Sequence, residues 1–159
     1  MSLFDNGEIW KKFESELFSW LDTPYRDNMK IKKGGVDCIR FIGETLKALK
    51  TNADYSHIEK NIFPMWWRHT DEEIMYNSLK KGLIDNGFIF VEFEYNRQQL
   101  KRGDLLLYTI RSRKMNHTAI YIPKNKMIHA SVFKRKVVIE KFNNVYLKKI
   151  IRLEKINDI

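Results

Sequence analysis

The side chains of this sequence best suited to covalent chemistry near neutral pH are the single cysteine, Cys38, and two histidines, His117 and His129. Cys38 follows Gly34-Gly35-Val36-Asp37, and Phe41, Ile42, Thr45, Leu46 and Leu49 come after it at helical spacing. The thiol therefore falls in the first turn of a helix, where backbone N–H groups are unpaired and the helix dipole is positive. Such a place is expected to favour the thiolate, the competent nucleophile, and to offer donors to a developing oxyanion. Gly34-Gly35 lets the backbone turn sharply ahead of it. Taken alone, a free cysteine reads equally as a small, inert core residue.

A nucleophile needs a base. His117 lies in the strand-like run Asn116–Ile122, and His129 in Lys126–Ser131, which reads as the next strand of a hairpin. The two are twelve positions apart. If the connecting loop has an odd number of residues, both face the same side of the sheet. One imidazole can then take the cysteine proton while the other holds the first in the right tautomer. Each histidine by itself would serve as well as a half-buried strand residue. His57 and His69 fall in an irregular stretch and read as surface or structural residues.

The elements that must position these groups are legible as a pattern. Gly7–Leu21 is amphipathic, with Trp10, Phe13, Leu17 and Leu21 on one stripe, and Asp22-Thr23-Pro24 ends it. A loop from Tyr25 to Gly35 leads to a second helix, Cys38–Lys50, with Asp37 as its N-cap. Residues 51–69 are irregular and hold Trp66-Trp67, expected to wall the cleft. Thr70 and Glu73 match a capping box for a third helix that stops near Gly87. The period then changes to that of strands: Phe88–Phe93, Asp104–Ile110, Asn116–Ile122, Lys126–Ser131, Lys134–Phe142 and Tyr146–Leu153. Helices first and strands afterwards predict an α+β domain with an antiparallel sheet.

Bulk properties narrow the class. At 159 residues, 43% apolar and 13% aromatic, the chain is long and apolar enough to fold around its own core. One cysteine excludes an intramolecular disulfide and a zinc site of several thiolates, and no metal or cofactor is expected. No apolar run approaches the length of a membrane span, and the N-terminus lacks the apolar core of a secretory signal, so synthesis in the cytoplasm and no membrane association are expected. The net charge of +9 suits an anionic partner such as an acidic polymer or nucleic acid, and suits simple solubility equally.

The motifs resemble a known family. Pro24-Tyr25 followed by Gly34-Gly35-Val36-Asp37-Cys38 is similar to the nucleophile region of the NlpC/P60 cysteine peptidases. Gly103-Asp104-Leu105-Leu106-Leu107-Tyr108 resembles the family's glycine-aspartate opening of a strand, Asn116–Ile122 the strand with the catalytic histidine, and Met127–Ser131 the strand with the third polar residue. The resemblance implies a papain-like fold, with N-terminal helices packed on an antiparallel sheet of five or six strands, in one domain over residues 1–159 with an insertion at 51–96. It implies hydrolysis of an amide bond in cell-wall (peptidoglycan) peptides through Cys38, His117 and His129 and a thioester intermediate. Tyr25 matches an active-site tyrosine that hydrogen-bonds substrate or oxyanion. Asp37 matches the acid beside the nucleophile and reads as a cap rather than a catalytic group.

Two departures stand out. Ile39-Arg40 replaces the usual Ser-Gly after the nucleophile, with Arg40 expected to be solvated, and the stretch before His117 is longer than usual. The implied partners are a peptidoglycan peptide and, for the positive charge, an anionic wall polymer. Action on the wall after release, or within a phage particle, is the expected setting. A papain-like acyltransferase or thioesterase would use the same Cys–His pair. A basic nucleic-acid-binding module, the other alternative, leaves the Cys and His spacing unexplained.

Overall fold

The computed structural model of the chain describes residues 1–50, 73–96 and 99–157. Among these, a single 3-10 turn, Leu3–Asp5, precedes helices α1 (Gly7–Ser19), α2 (Cys38–Leu46) and α3 (Ile74–Asp85). A two-stranded hairpin, β1 (Lys30–Ile31) and β2 (Gly35–Val36), lies between α1 and α2. The main sheet comprises β3 (Phe88–Phe93), β4 (Leu105–Tyr108), β5 (His117–Ile122), β6 (Lys126–Ser131), β7 (Lys136–Lys141) and β8 (Leu147–Ile156). Its order is β3-β8-β4-β5-β6-β7 with every neighbouring pair antiparallel, the α+β arrangement expected.

The helices end where local chemistry ends them. Asn6 caps α1 by accepting from the Glu8 and Ile9 amides, and Asp22 beyond its far end is left-handed at φ 68°. Helix α2 is shorter than the predicted Cys38–Lys50. Its last turn tightens into i→i−3 bonds from Lys47, Ala48 and Leu49, while the Thr45 hydroxyl bonds back to the carbonyls of Phe41 and Ile42. Helix α3 starts at Ile74, and the expected capping box does not form. Glu73 is itself the N-cap position without a side-chain cap, and its carboxylate instead accepts the Met115 amide at 3.4 Å. Thr70, with His57, His69 and the Trp66-Trp67 pair, lies outside the described residues. Gly87, at φ 78°, stops α3 as predicted. Of the stretch 51–96, residues 73–96 are described: α3 packs against β3, and β3 is the sheet edge beside β8.

One face of the sheet carries Leu105, Leu107, Ile120, Ile122, Ile128, Ala130, Val137, Ile151 and Leu153, and packs in one core with the buried residues of all three helices. The alternate residues Leu106, Tyr108, Ala119, Met127 and Ile150 form a second cluster on the other face. Phe4 stacks on Phe13 at 4.8 Å and meets the Trp10 edge at 5.7 Å, so the N-terminal turn closes one end of the first core.

Two buried ion pairs, Asp104–Arg152 at the opening of β4 and Asp37–Arg40 at the head of α2, hold the segments that flank the site. Asp104 accepts from the Lys101 amide and from two nitrogens of Arg152 on β8, fixing the opening of β4. The Gly103 amide donates to the Tyr121 carbonyl on β5, and Gly103 is left-handed at φ 85°. A Cβ there would lie 2.0 Å from a Phe4 ring carbon. Gly103 is thus required twice over, for its backbone and for the ring packed upon it. At the other end, Asp22 and Thr23 exchange backbone bonds with Val137, and Tyr25 donates to the Arg135 carbonyl. These bonds zip the loop before Cys38 onto the outer edge of β7.

Gly103→Ala should destabilise the fold by about 2–3 kcal/mol, from overpacking plus backbone strain. Thermal denaturation is expected to show a Tm lower by roughly 4–10 °C; an unchanged Tm would mean that Phe4 does not pack on this turn. Asp37→Ala should cost about 3 kcal/mol or more, because it takes a charge-paired carboxylate away from the buried Arg40 guanidinium. The same melt on Asp37→Ala/Arg40→Leu should recover part of that loss.

Candidate active site

Cys38 is the first residue of α2 because Asp37 can cap it. Asp37 is extended at φ −98°, and its carboxylate accepts from the Arg40 amide at 2.9 Å and the Asn28 amide at 2.8 Å. The Arg40 guanidinium completes the group at 2.7 Å. Asp37 is fully buried and Arg40 only 5% exposed, so the expectation that Arg40 is solvated is corrected: it neutralises the capping acid one turn into the helix. Burial pushes the Asp37 carboxyl up, against the pull of Arg40 and of the two amides.

The register of the sheet makes room for the sulfur. The β5–β6 ladder pairs Ile120, Tyr121 and Ile122 with Ile128, Met127 and Lys126, and goes no further toward His117. The Tyr121 amide bonds Asp104 next to β4, so the even-numbered amides of β5 point toward β6. Thr118 is the next such amide, and it donates to the Cys38 sulfur instead of to a strand. The head of α2 thus takes the place of a ladder rung, beside the residue that follows His117.

The two histidines sit on one face. The β5–β6 turn is the three residues 123–125, the odd length that the argument from spacing required. His117 Nε2 lies 2.7 Å from His129 Nδ1, and the rings meet edge to face with centroids 5.0 Å apart. His129 Nε2 lies 2.9 Å from Glu140 Oε2 on β7. Burial lowers the pKa of His129, with Glu140 pulling the other way, so its neutral form is favoured. Asn116 holds His117 at the head of β5: its side chain accepts from the Ile110 amide and donates to the Ile110 carbonyl, both at 2.8 Å, closing the loop between β4 and β5. The ring of Tyr108 stands 6.1 Å from that of His117, with its hydroxyl donated to the Asn143 carbonyl.

A cavity of about 400 Å³ opens against the imidazoles, lined among others by Tyr108, Arg111, Phe133 and Glu140. A smaller one of about 190 Å³ adjoins it past Asn116 and Val132. Cys38 lines neither, and it has no exposed surface. This reverses the expected ionisation. Burial pushes the thiol well above its ordinary range, and the carboxylates of Asp37 and Asp27 push the same way, while the Thr118 and Ile39 amides oppose them. The helix head favours the thiolate, but loss of solvent outweighs it.

Tyr25 is half-buried, and its hydroxyl donates to Asp27 at 3.2 Å. Because the charge of Asp27 is felt at Cys38, the Tyr25–Asp27 pair belongs to the surroundings of the sulfur. Asp37 lines neither cavity, its oxygens being spent on the donors named above. Asp27 and Glu140 were not singled out in the sequence. Glu140 had a signal: it is a lone acid in the apolar run Val137–Phe142, where strand alternation gives one face to Val138, Glu140 and Phe142. Among the described residues, no cluster of three or more His, Cys, Asp or Glu forms a metal site. No described helix is long and apolar enough to cross a membrane.

Comparison with known proteins agrees with this architecture. No curated protein matches the chain. Among solved structures, the NlpC/P60 domain of the peptidoglycan hydrolase SagA is 17% identical with a TM-score of 0.56, over 89% of this chain and 96% of that one. The P60 domain of an antigen from M. avium subspecies paratuberculosis is 15% identical with a TM-score of 0.58, over 95% and 97%. The peptidoglycan hydrolase RipB from Mycobacterium tuberculosis is 13% identical with a TM-score of 0.59, over 98% and 70%. At these identities the likeness is one of fold. The NlpC/P60 family model itself matches residues 22–154, which takes in Cys38, His117, His129 and the main sheet up to the last two residues of β8. This chain belongs to the NlpC/P60 family and is an enzyme of its cysteine peptidase and amidohydrolase class.

Proposed function

We propose that the chain hydrolyses an amide bond in peptidoglycan peptides, with Cys38 as nucleophile, His117 as base and His129 as the residue that orients the base. The observation that carries this reading is the meeting of two lines. The Glu140–His129–His117 bonds run to the head of β5, and the amide of the next residue, Thr118, bonds the Cys38 sulfur. Family membership and the peptidoglycan hydrolases among the fold relatives supply the substrate class.

In this mechanism His117 takes the Cys38 proton as the sulfur attacks the amide carbonyl. The tetrahedral oxyanion collapses to a thioester, and the imidazolium gives its proton to the departing amine. Water, deprotonated by His117, then attacks the thioester and releases the acid and the thiol. The Ile39 amide at the helix head and the Tyr25 hydroxyl are the donors assigned to the oxyanion. A lone thiolate is disfavoured where this sulfur lies, so proton transfer to His117 and attack are coupled. An imidazolium beside the sulfur offsets what burial costs it. The sulfur is covered, so substrate reaches it only after its cover shifts.

Cys38→Ala should abolish release of amines from purified muropeptides, and His117→Ala should lower kcat by roughly a thousandfold or more. His129→Ala should leave a residual rate, lower by about ten- to a hundredfold. Wild-type rates in the alanine variants of Cys38 and His117 would reject the assignment. If acyl thioesters turn over and muropeptides do not, the same pair serves acyl transfer instead.

The buried thiol makes a second prediction, about pH. Iodoacetamide should label Cys38 more slowly in the native chain than in urea. In the native chain a plateau around neutral pH should report alkylation in which neutral His117 takes the proton as the sulfur attacks. In His117→Ala the plateau should vanish. Only a limb rising with pH should remain, displaced above that of a free thiol, because burial raises the thiol and no imidazolium offsets it. Superimposable profiles would show that His117 does not share the proton.

A further inference from the structure

The reading above gives three residues a role and leaves out Glu140. We propose that Glu140 is a positioning residue which, acting through His129, selects the tautomer of His117 and so makes His117 Nδ1 the atom that takes the Cys38 proton. The inference rests on the assignment of Cys38 and His117 made above and extends it.

The argument is one of donors and acceptors along a single line. A carboxylate oxygen only accepts. At 2.9 Å from Glu140 Oε2, His129 Nε2 therefore carries the proton. His129 is buried and favoured neutral, so its Nδ1 bears a lone pair. That nitrogen lies 2.7 Å from His117 Nε2, which must then be the donor. When His117 is neutral, its one remaining nitrogen, Nδ1, holds the lone pair. Reversing any one bond reverses all of them, and His117 would then offer a proton where it needs to receive one.

The register supports the arrangement. Glu140 pairs with Met127 across β6–β7, two positions from His129 on the same face, so the two side chains lie on a strand diagonal. Among the described residues, the charged and titratable groups that line the larger cavity with the imidazoles are Tyr108 from β4, Arg111 from the β4–β5 loop, Glu140 from β7 and Tyr146 from the β7–β8 loop. Of these, Glu140 bonds His129. At 30% exposure its carboxylate keeps contact with water, while the ring it anchors, at 8%, does not.

Glu140→Gln is the sharp test, because an amide of the same shape offers a donor as well as an acceptor. With the full chain labelled at histidine nitrogen, two-bond proton–nitrogen NMR correlations should show Nε2–H on both rings of the wild type. In Glu140→Gln a population with Nδ1–H should appear on both rings. The same variant should lose at least about tenfold in kcat on muropeptides, with KM changed less and Tm unchanged. Glu140→Ala should also lose rate, with His129 exchanging between tautomers. The proposal is overturned if either ring of the wild type carries Nδ1–H. It is overturned equally if Glu140→Gln keeps the wild-type tautomers, or keeps a kcat within twofold of wild type. Full activity in Cys38→Ala would instead overturn the assignment beneath it and leave the NMR result standing.

Discussion

The site depends on one missing rung of the sheet. Strands β5 and β6 pair from Ile120 to Ile122 and then part, and the head of α2 stands in the gap with its sulfur on the Thr118 amide. A buried amide must be bonded. The fold answers that demand with a side-chain sulfur, which sets Cys38 against the strand that carries His117. Opposite Ile120 and Tyr121, the start of β4 is held by Gly103 and the Asp104–Arg152 pair, so β5 is braced on the side away from the sulfur. The zipper between residues 22–25 and β7 anchors the loop that leads into α2. Sheet and helix head are thus tied together from both ends, and the meeting of Cys38 with β5 does not rest on one contact.

Burial decides how such a site can work. A sulfur with no exposed surface, near two carboxylates, holds its proton strongly. Two amides, one from β5 and one from the helix head, cannot reverse that, since each hydrogen bond contributes on the order of a kcal/mol while desolvating an ion costs several. The chemistry then requires the base to be poised in advance. A dry imidazole pair with a carboxylate behind it does this without placing a permanent positive charge in the interior. In the proposed mechanism the proton is taken when the substrate arrives, not stored beforehand.

Much of this was legible in the sequence, and the limits have physical causes. The even spacing of His117 and His129 stated a condition on loop length that the three-residue turn meets, because side-chain alternation in strands is strict. Asp37 as cap and Cys38 as first helical residue followed from local chemistry alone. Strand boundaries erred where side chains replaced the ladder: Ile110 was expected in β4, but it bonds the Asn116 side chain instead. Glu140 went unassigned because its meaning lies two strands away, in a register that no single segment specifies. The ionisation of Cys38 was expected with the wrong sign, since a helix head can be read from sequence and the depth of burial cannot.

Arg40 shows how a departure from the family pattern is absorbed. Placing Asp37 next to the nucleophile caps α2 and also sets a negative charge beside a sulfur that must become negative. The guanidinium 2.7 Å from Asp37 pairs that buried charge while leaving the cap intact, and the acid still acts on the sulfur. A small polar residue at this position would leave Asp37 to face Cys38 with only backbone amides to balance it. A lysine would bring the charge without the paired, planar donors of a guanidinium. In this chain the residue that stands where others carry a small one therefore serves the electrostatics of the helix head. It is buried because the acid it answers is buried.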